Sequence, residues 1–261
     1  MTLILGIICK DGIVMAADSQ MTMGVIKKTS VEKIKQCGFC LWAGAGDVSC
    51  IQTIEKNIGT LPAEVKTTGL MDNLVGIIQR MMHSQRKDYV ERYVDIYKNP
   101  AQIPLCEIMV CGYNSKRQPR ITIVTGNGDS VEFDDYCSIG VGTPFAQVLL
   151  KTLNLNNFVR NISIDQGKVF AHKVIKAAIE TGNFGMDFPI FIWEIKPKKE
   201  TIEVRKLEGV EMNAVEDTTN WLNQIEQEVF SNVGVNNKKS GEKIEEQPAE
   251  GKKILKTKNN F

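Results

Sequence analysis

The sequence predicts an α+β fold in which two antiparallel sheets pack face to face and helices cover both outer faces. Three observations predict it. Strand-like runs, two helical stretches, more strands, two more helical stretches and a final strand pair follow one another in blocks, the order expected of a layered α+β protein. The first two runs, residues 3–9 and 13–17, are apolar and carry β-branched residues, and the Asp-Gly signal of a tight turn separates them at Lys10-Asp11-Gly12. The 261 residues are 43% hydrophobic and 24% charged, enough for one sizeable core in an ordinary globular protein.

The first hairpin also sets chemistry in place. Pairing about Lys10-Asp11 puts Thr2 opposite Ser19 and next to Asp18. A second hairpin folding about Cys37-Gly38-Phe39 sets Lys33 opposite Ala43 and beside Gly44. A hydroxyl, a carboxylate, an ammonium and a flexible backbone N–H then reach one end of a sheet. That set suits acyl transfer. A threonine hydroxyl attacks only when a base takes its proton, and its own N-terminal amine is a recognised base. Removal of Met1, favoured by a small second residue, exposes that amine on Thr2. Lys33 lowers the pKa of amine and hydroxyl, Asp18 keeps Lys33 charged and aimed, and the Gly44 N–H points at the developing oxyanion.

The remaining elements follow in order. Asp47 caps a helix carrying Ile51, Ile54 and Ile58 at helical spacing, which Gly59 and Pro62 end. Residues 63–97 form a long helical pattern, broken near Gly69, with Leu70, Leu74, Ile77, Ile78, Met81 and Met82 on its buried face. Residues 103–112 make a strand, Asn114-Ser115-Lys116 a turn and residues 120–125 the return. Gly126-Asn127-Gly128 is another turn; with no following Gly-Lys-Ser/Thr and no helix it is not a phosphate cradle. After residues 130–133 and a short strand at 137–142, Thr143-Pro144 opens a helix with Phe145, Val148, Leu149 and Leu153 as its stripe. Ser163 and Gln166 form a capping box for the next helix, which runs to Gly182. Residues 188–195 and 201–204 close the sheets.

These residues carry a resemblance. The leading Thr2, Asp18 in AADSQMT, Lys33 in VEKI and Gly44 in WAGAG stand in the order of the proteasome β-type subunits, which are N-terminal-nucleophile hydrolases. VTGNGDSVEF and IGVGTPFAQ resemble the same family, and the GNGD piece is similar to the bacterial two-component peptidase that shares the fold. The resemblance spans residues 2–197 and implies a four-layer αββα sandwich. It also implies a threonine-type endopeptidase acting on polypeptide through an acyl-Thr2 intermediate, with Thr2, Asp18, Lys33 and Gly44 as its site. A homo-oligomeric ring, or proteasome α-type subunits, are the implied partners. The departures lie in the auxiliary shell that steadies the amine. Val141 stands where active relatives have a serine, and Thr181 and Phe184 fall where they have an aspartate and a serine; Asp187 is near but out of register. Those departures keep two alternatives open: an amidase or transpeptidase outside the proteasome, and a catalytically weak or inert structural subunit.

On this reading residues 1–207 are the catalytic domain and 208–231 a helical extension, with Val215, Trp221, Leu222, Ile225 and Val229 in an amphipathic stretch. Residues 232–261, rich in Lys, Glu, Asn and Gly, are a disordered tail. A net charge of +1 gives no electrostatic reason for nucleic acid or a membrane surface as partner. No apolar run approaches the ~20 residues of a membrane span, and no signal peptide is read at the start, so a cytoplasmic location is expected. The seven cysteines lie mostly in apolar strands as free thiols. Cys37 and Cys40 flank a turn with no second such pair, so no metal or other cofactor is expected. His83 and His172 stand by no nucleophile motif, which argues against Ser-His or Cys-His chemistry.

Overall fold

The computed structural model describes residues 2–23, 26–93, 105–152, 161–181 and 185–239. In chain order the first elements are β1 (Ile4–Cys9), β2 (Gly12–Ala17), β3 (Met21–Met23), β4 (Ile26–Lys28), β5 (Lys35–Cys37) and β6 (Cys40–Gly46). Helices α1 (Val48–Gly59), α2 (Ala63–Thr68) and α3 (Met71–Tyr93) follow. Next come β7 (Cys106–Tyr113), β8 (Pro119–Val124), β9 (Ser130–Phe133) and β10 (Tyr136–Ile139), then α4 (Thr143–Thr152) and α5 (Ile164–Thr181). The last elements are β11 (Phe191–Pro197), β12 (Ile202–Lys206) and α6 (Gly209–Lys239).

Two five-stranded sheets result, ordered β10-β1-β2-β11-β12 and β5-β6-β7-β8-β9, all pairs antiparallel. Three apolar layers glue them into the expected αββα sandwich. Side chains on a strand alternate between faces, and β1 uses both. Leu3, Leu5 and Ile7 enter a layer with Val174 and Ile175 of α5. Ile4 and Ile8 enter the layer between the sheets with Met109 and Cys111 of β7. The second sheet turns Trp42, Ile108 and Val110 outward against Ile54, Leu74 and Ile78 of α1 and α3. The central strands are therefore apolar without alternation because both faces are covered.

The local signals hold where they are local. The Asp47 carboxylate caps α1, accepting from the Cys50 N–H at 3.0 Å. Ser163 and Gln166 bond each other reciprocally at the start of α5, at 2.9 and 3.3 Å. The long helical pattern breaks at Gly69 as expected, an extended cap between α2 and α3; its last residues, 94–97, lie outside the described ones, as does Leu153. Other expectations shift. Met71, not Leu70, is the first buried residue of α3. The strand expected at 137–142 stops at Ile139, because Gly140 takes φ 97 and turns the chain toward α4. On α4 the buried residues are Ala146 and Leu150, while Val148 is 65% exposed. Phe145 and Leu149 of the expected stripe pack half-buried against the same core, so of its described members Val148 is the one that faces away.

By its contacts the chain divides into a first unit running to Thr219 and a second from Asn220. Helix α6 begins at Gly209, earlier than the amphipathic pattern starts, and stays helical through residues 232–239, where the composition predicts disorder. Extending an existing helix is far easier than starting one. Residues 240–261 of the expected tail lie outside the described ones. Among the described residues no helix is long and apolar enough to cross a membrane.

His172, on α5, is buried, and its Nδ1 lies 3.0 Å from the Thr219 hydroxyl. That hydroxyl donates to the Val215 carbonyl at 2.8 Å, so it accepts from Nδ1–H. Burial, the main cause, pulls the imidazole below its ordinary value of 6.5. A folded-state pKa below the unfolded one means that the unfolded chain binds the proton first as pH falls. This contribution to stability is therefore whole above about pH 6.5 and is lost below it. The unfolding free energy of the native chain is expected to drop between about pH 7 and 5.5, and His172→Gln is expected to flatten that slope, as read by urea titrations.

Candidate active site

The first hairpin closes as expected. Ile4 pairs with Ala17 and Cys9 with Gly12, and the same register continued sets Thr2 level with Ser19. The second hairpin is one residue tighter than expected. Cys37 pairs with Cys40 across a two-residue turn, with Gly38 at φ 60. Such turns need a positive φ that glycine adopts without strain. Lys33 consequently falls level with Gly44 rather than Ala43.

The side chains of Thr2, Asp18 and Lys33 meet. Lys33 Nζ donates to Asp18 Oδ1 at 2.7 Å and to Thr2 Oγ1 at 3.1 Å. Asp18 is fully buried, and the Lys33 side chain is 8% exposed. A buried carboxylate needs its lone pairs filled. Asp18 Oδ1 also accepts from the Leu3 N–H at 2.8 Å, and Oδ2 from the Gln20 N–H at 3.0 Å. Burial pulls the Lys33 ammonium below its usual range, while the Asp18 carboxylate opposes that fall.

Gly44 enters through its backbone. A two-residue hairpin closes on a pair that exchanges both backbone bonds, and bonded pairs recur at every second residue. Counting from Cys37 and Cys40, the N–H groups of Gly44 and Gly46 face the β5 side. β5 ends at Lys35, so these two donors face open space beyond it. A pocket of about 120 Å³ lies there, lined by Thr2, Lys33, Gly44 and Gly46, with Met21 and Trp42 further in. Gly46 is a donor that the motif reading missed; its place two residues after Gly44, on the same strand edge, was the available signal.

The Gly-Val-Gly turn holds Thr2 from the other side. The Gly142 N–H donates to the Thr2 carbonyl at 3.3 Å. A Cβ on Gly140 would stand 2.2 Å from that same oxygen, so only glycine fits. Val141 between them is 52% exposed and lines an open cavity of about 940 Å³ shared by Thr2 and Gly46. Thr181 spends its hydroxyl on the Ala177 carbonyl of its own helix at 2.6 Å, and Phe184 lies outside the described residues. Asp187 approaches through its backbone. Its carbonyl accepts from the Ser19 N–H at 3.0 Å and the Ser19 hydroxyl at 3.1 Å, beside Asp18.

Cys37 and Cys40, the pair weighed for metal chemistry, are buried free thiols opposite each other in the second hairpin. Among the described residues no group of three or more His, Cys, Asp or Glu could hold a metal ion. His83 is exposed on α3, and neither histidine lies near Thr2.

The proteasome subunit family model matches residues 2–188. Proteasome subunit beta 2 of Pyrococcus furiosus is 30% identical over 189 residues, covering 71% of this chain and 83% of that protein. Proteasome subunit beta 1 of Thermococcus gammatolerans is 26% identical over 185 residues, covering 68% and 81%. Among solved structures, Anbu (ancestral beta-subunit) from Yersinia bercovieri superposes with a TM-score of 0.65 at 13% identity, over 88% of this chain and 97% of that one. A Gly-1 mutant of Anbu from Hyphomicrobium sp. strain MC1 gives 0.66 at 12% identity, over the same shares.

The buried pair sets a stability test. Asp18→Ala leaves an uncompensated buried ammonium and is expected to cost about 3 kcal/mol or more. Lys33→Met leaves the carboxylate and is expected to cost a comparable amount. The double variant is expected to cost clearly less than the sum, read from denaturant midpoints as a double-mutant cycle. Simple additivity of the two costs would show that the pair is not coupled.

Proposed function

The chain belongs to the proteasome subunit family, a family of peptidases, and from that premise we propose that it is a threonine-type endopeptidase whose nucleophile is Thr2. One observation carries the reading: Lys33 Nζ bridges Thr2 Oγ1 at 3.1 Å and Asp18 Oδ1 at 2.7 Å. With Met1 removed, the Thr2 amine takes the Oγ1 proton as the oxygen attacks a peptide carbonyl. The Lys33 ammonium, 3.1 Å from Oγ1, stabilises the alkoxide character that develops there. The tetrahedral oxyanion faces the Gly44 N–H, with that of Gly46 beside it; removing one such donor typically costs ~3 kcal/mol of barrier. Collapse breaks the C–N bond, and the amine's proton goes to the leaving nitrogen. Water, activated by the same amine, then hydrolyses the acyl-Thr2 ester.

Polypeptide is the proposed substrate. Assembly into a ring, with copies of itself or with α-type subunits, is the proposed setting, on the strength of the proteasome beta subunits to which the chain is similar. The cytoplasm is the proposed location.

Intact-mass measurement of the purified protein is expected to find Met1 absent. A β-lactone or epoxyketone probe is expected to label wild type at Thr2 and to leave Thr2→Ala unlabelled. Retained Met1 with no labelling would leave a scaffold without the chemistry. Gly140→Ala, which crowds the Thr2 carbonyl, is expected to slow labelling at least tenfold, compared at matched probe concentration.

A further inference from the structure

We propose that the open cleft beside Thr2 receives the residue on the leaving side of the cut and selects a cationic one, lysine or arginine. This rests on the peptidase reading.

The two cavities that meet at Thr2 differ in which step they serve. The base that takes the Oγ1 proton must return it to the leaving nitrogen, so the leaving chain lies on the amine's side. The ladder in which Ile4 faces Ile139 and Leu5 faces Ser138, continued, sets Thr2 level with Val141. The amine therefore lies beside the 140–142 turn. That turn borders the large cavity and is absent from the lining of the small one. The pocket of about 120 Å³ suits a single side chain on the acyl side. The cleft of about 940 Å³ suits the departing peptide.

The chemistry of that cleft is one-sided. Glu107 lies on the β7 face that turns Met109 and Cys111 into the layer between the sheets, at the end of the strand where that layer opens. Among the described residues no Lys, Arg or His lines the cleft, although Arg86 reaches into its wall to donate to the Asn127 side-chain carbonyl. Glu107 pairs with no cation among the described residues. Three hydroxyl oxygens of residues in the same wall, Thr125 Oγ1, Ser138 Oγ and Thr143 Oγ1, are buried and have no hydrogen-bond partner among the described residues. Ser138 is only 7% exposed. Buried polar atoms are nearly always paired, and these three sit just beneath one wall, where a turn of the side chain brings the hydroxyl to a cation in the cleft. A hydroxyl accepts readily from an ammonium or guanidinium N–H, and a carboxylate binds either as an ion pair.

An anion has less to hold it. The start of α4 borders the cleft, and helix starts attract anions through free N–H groups. Here the Thr143 N–H is taken by the Gly140 carbonyl at 3.0 Å and the Ala146 N–H by the Gly142 carbonyl at 3.1 Å. Pro144 has none. Among the described side chains that line the cleft, the charged one is Glu107; the Thr2 amine at its edge is neutral when it acts as base.

Three internally quenched peptides, identical except for Lys, Leu or Glu after the cut, test the selection. Wild type is expected to cut them in the order Lys, Leu, Glu, with roughly tenfold between the extremes at low salt. Because Glu107 is exposed, the ratio is expected to shrink as salt is added. Glu107→Gln is expected to bring the ratio close to one, and Glu107→Lys to reverse it. Ser138→Ala is expected to reduce it without reversal. A ratio taken within one preparation does not depend on how much of it is folded. The same peptides are also bound to Thr2→Ala and followed by fluorescence anisotropy. Equal binding of all three there overturns the selection. Binding in the order Lys, Leu, Glu by Thr2→Ala, with no cutting by wild type, upholds the selection and removes the peptidase reading instead.

Discussion

The Asp18 carboxylate is the constraint on which the rest of the structure depends. It is a full charge with no contact to solvent, and an unpaired charge in that place would be costly. Two backbone N–H groups and one ammonium satisfy it, and each ties a different segment to the same point. The Leu3 N–H fixes the start of β1, the Gln20 N–H fixes the chain as it leaves β2, and Lys33 brings in the segment before β5. Removing any of these leaves charge unanswered. The geometry that aims Lys33 at Thr2 is thus the geometry that makes Asp18 tolerable, so folding and preorganisation are one requirement.

The two sheets add what a buried ion pair cannot supply, an open edge. Backbone donors in the middle of a sheet are consumed by neighbouring strands. β5 is short and ends at Lys35, while β6 continues to Gly46. The overhang presents N–H groups toward Thr2 without burying them unpaired. Glycine at 44 serves a second purpose on the opposite face. A Cβ there would stand 2.8 Å from Ile51 of α1, so its absence lets the helix settle against the strand that carries the donors.

Much of this was legible in the sequence because it is local. Asp-Gly at residues 11–12, Asp47 before an apolar helical stripe, and Ser163 with Gln166 each specify geometry within a few residues. The meeting of Thr2, Asp18 and Lys33 followed from hairpin arithmetic, and only the second turn was misjudged, by one residue. What was not legible depends on distant packing. The centre of α4's buried face is Ala146 and Leu150, with Phe145 and Leu149 of the expected stripe at its margins and Val148 turned away. The grip on the Thr2 carbonyl comes from Gly140 and Gly142, more than 130 residues away, and it works through main chain that carries no side-chain signal. Asp187 reaches Ser19 through its carbonyl, so reading its side chain for a role could not have found it.

The departures from the auxiliary pattern bear on what the proposed site can still do. A serine at position 141 would place a hydroxyl beside the chain end, and valine there cannot exchange a proton or a hydrogen bond. Position and proton handling are separable, however. The location of Thr2 is set by the Gly142 N–H on its carbonyl, by the close fit at Gly140 and by Lys33 on its Oγ1. None of these uses the side chain at 141. In the proposed mechanism the substitution therefore acts on how readily the amine accepts and returns its proton, not on where the Thr2 oxygen points. It also leaves an apolar lip on a cleft whose polar lining residues include Glu107 and Asn127. On the proposed selection, the substrate's own cation supplies a polar contact that Val141 does not, which would link the altered amine environment to a narrower choice of leaving group.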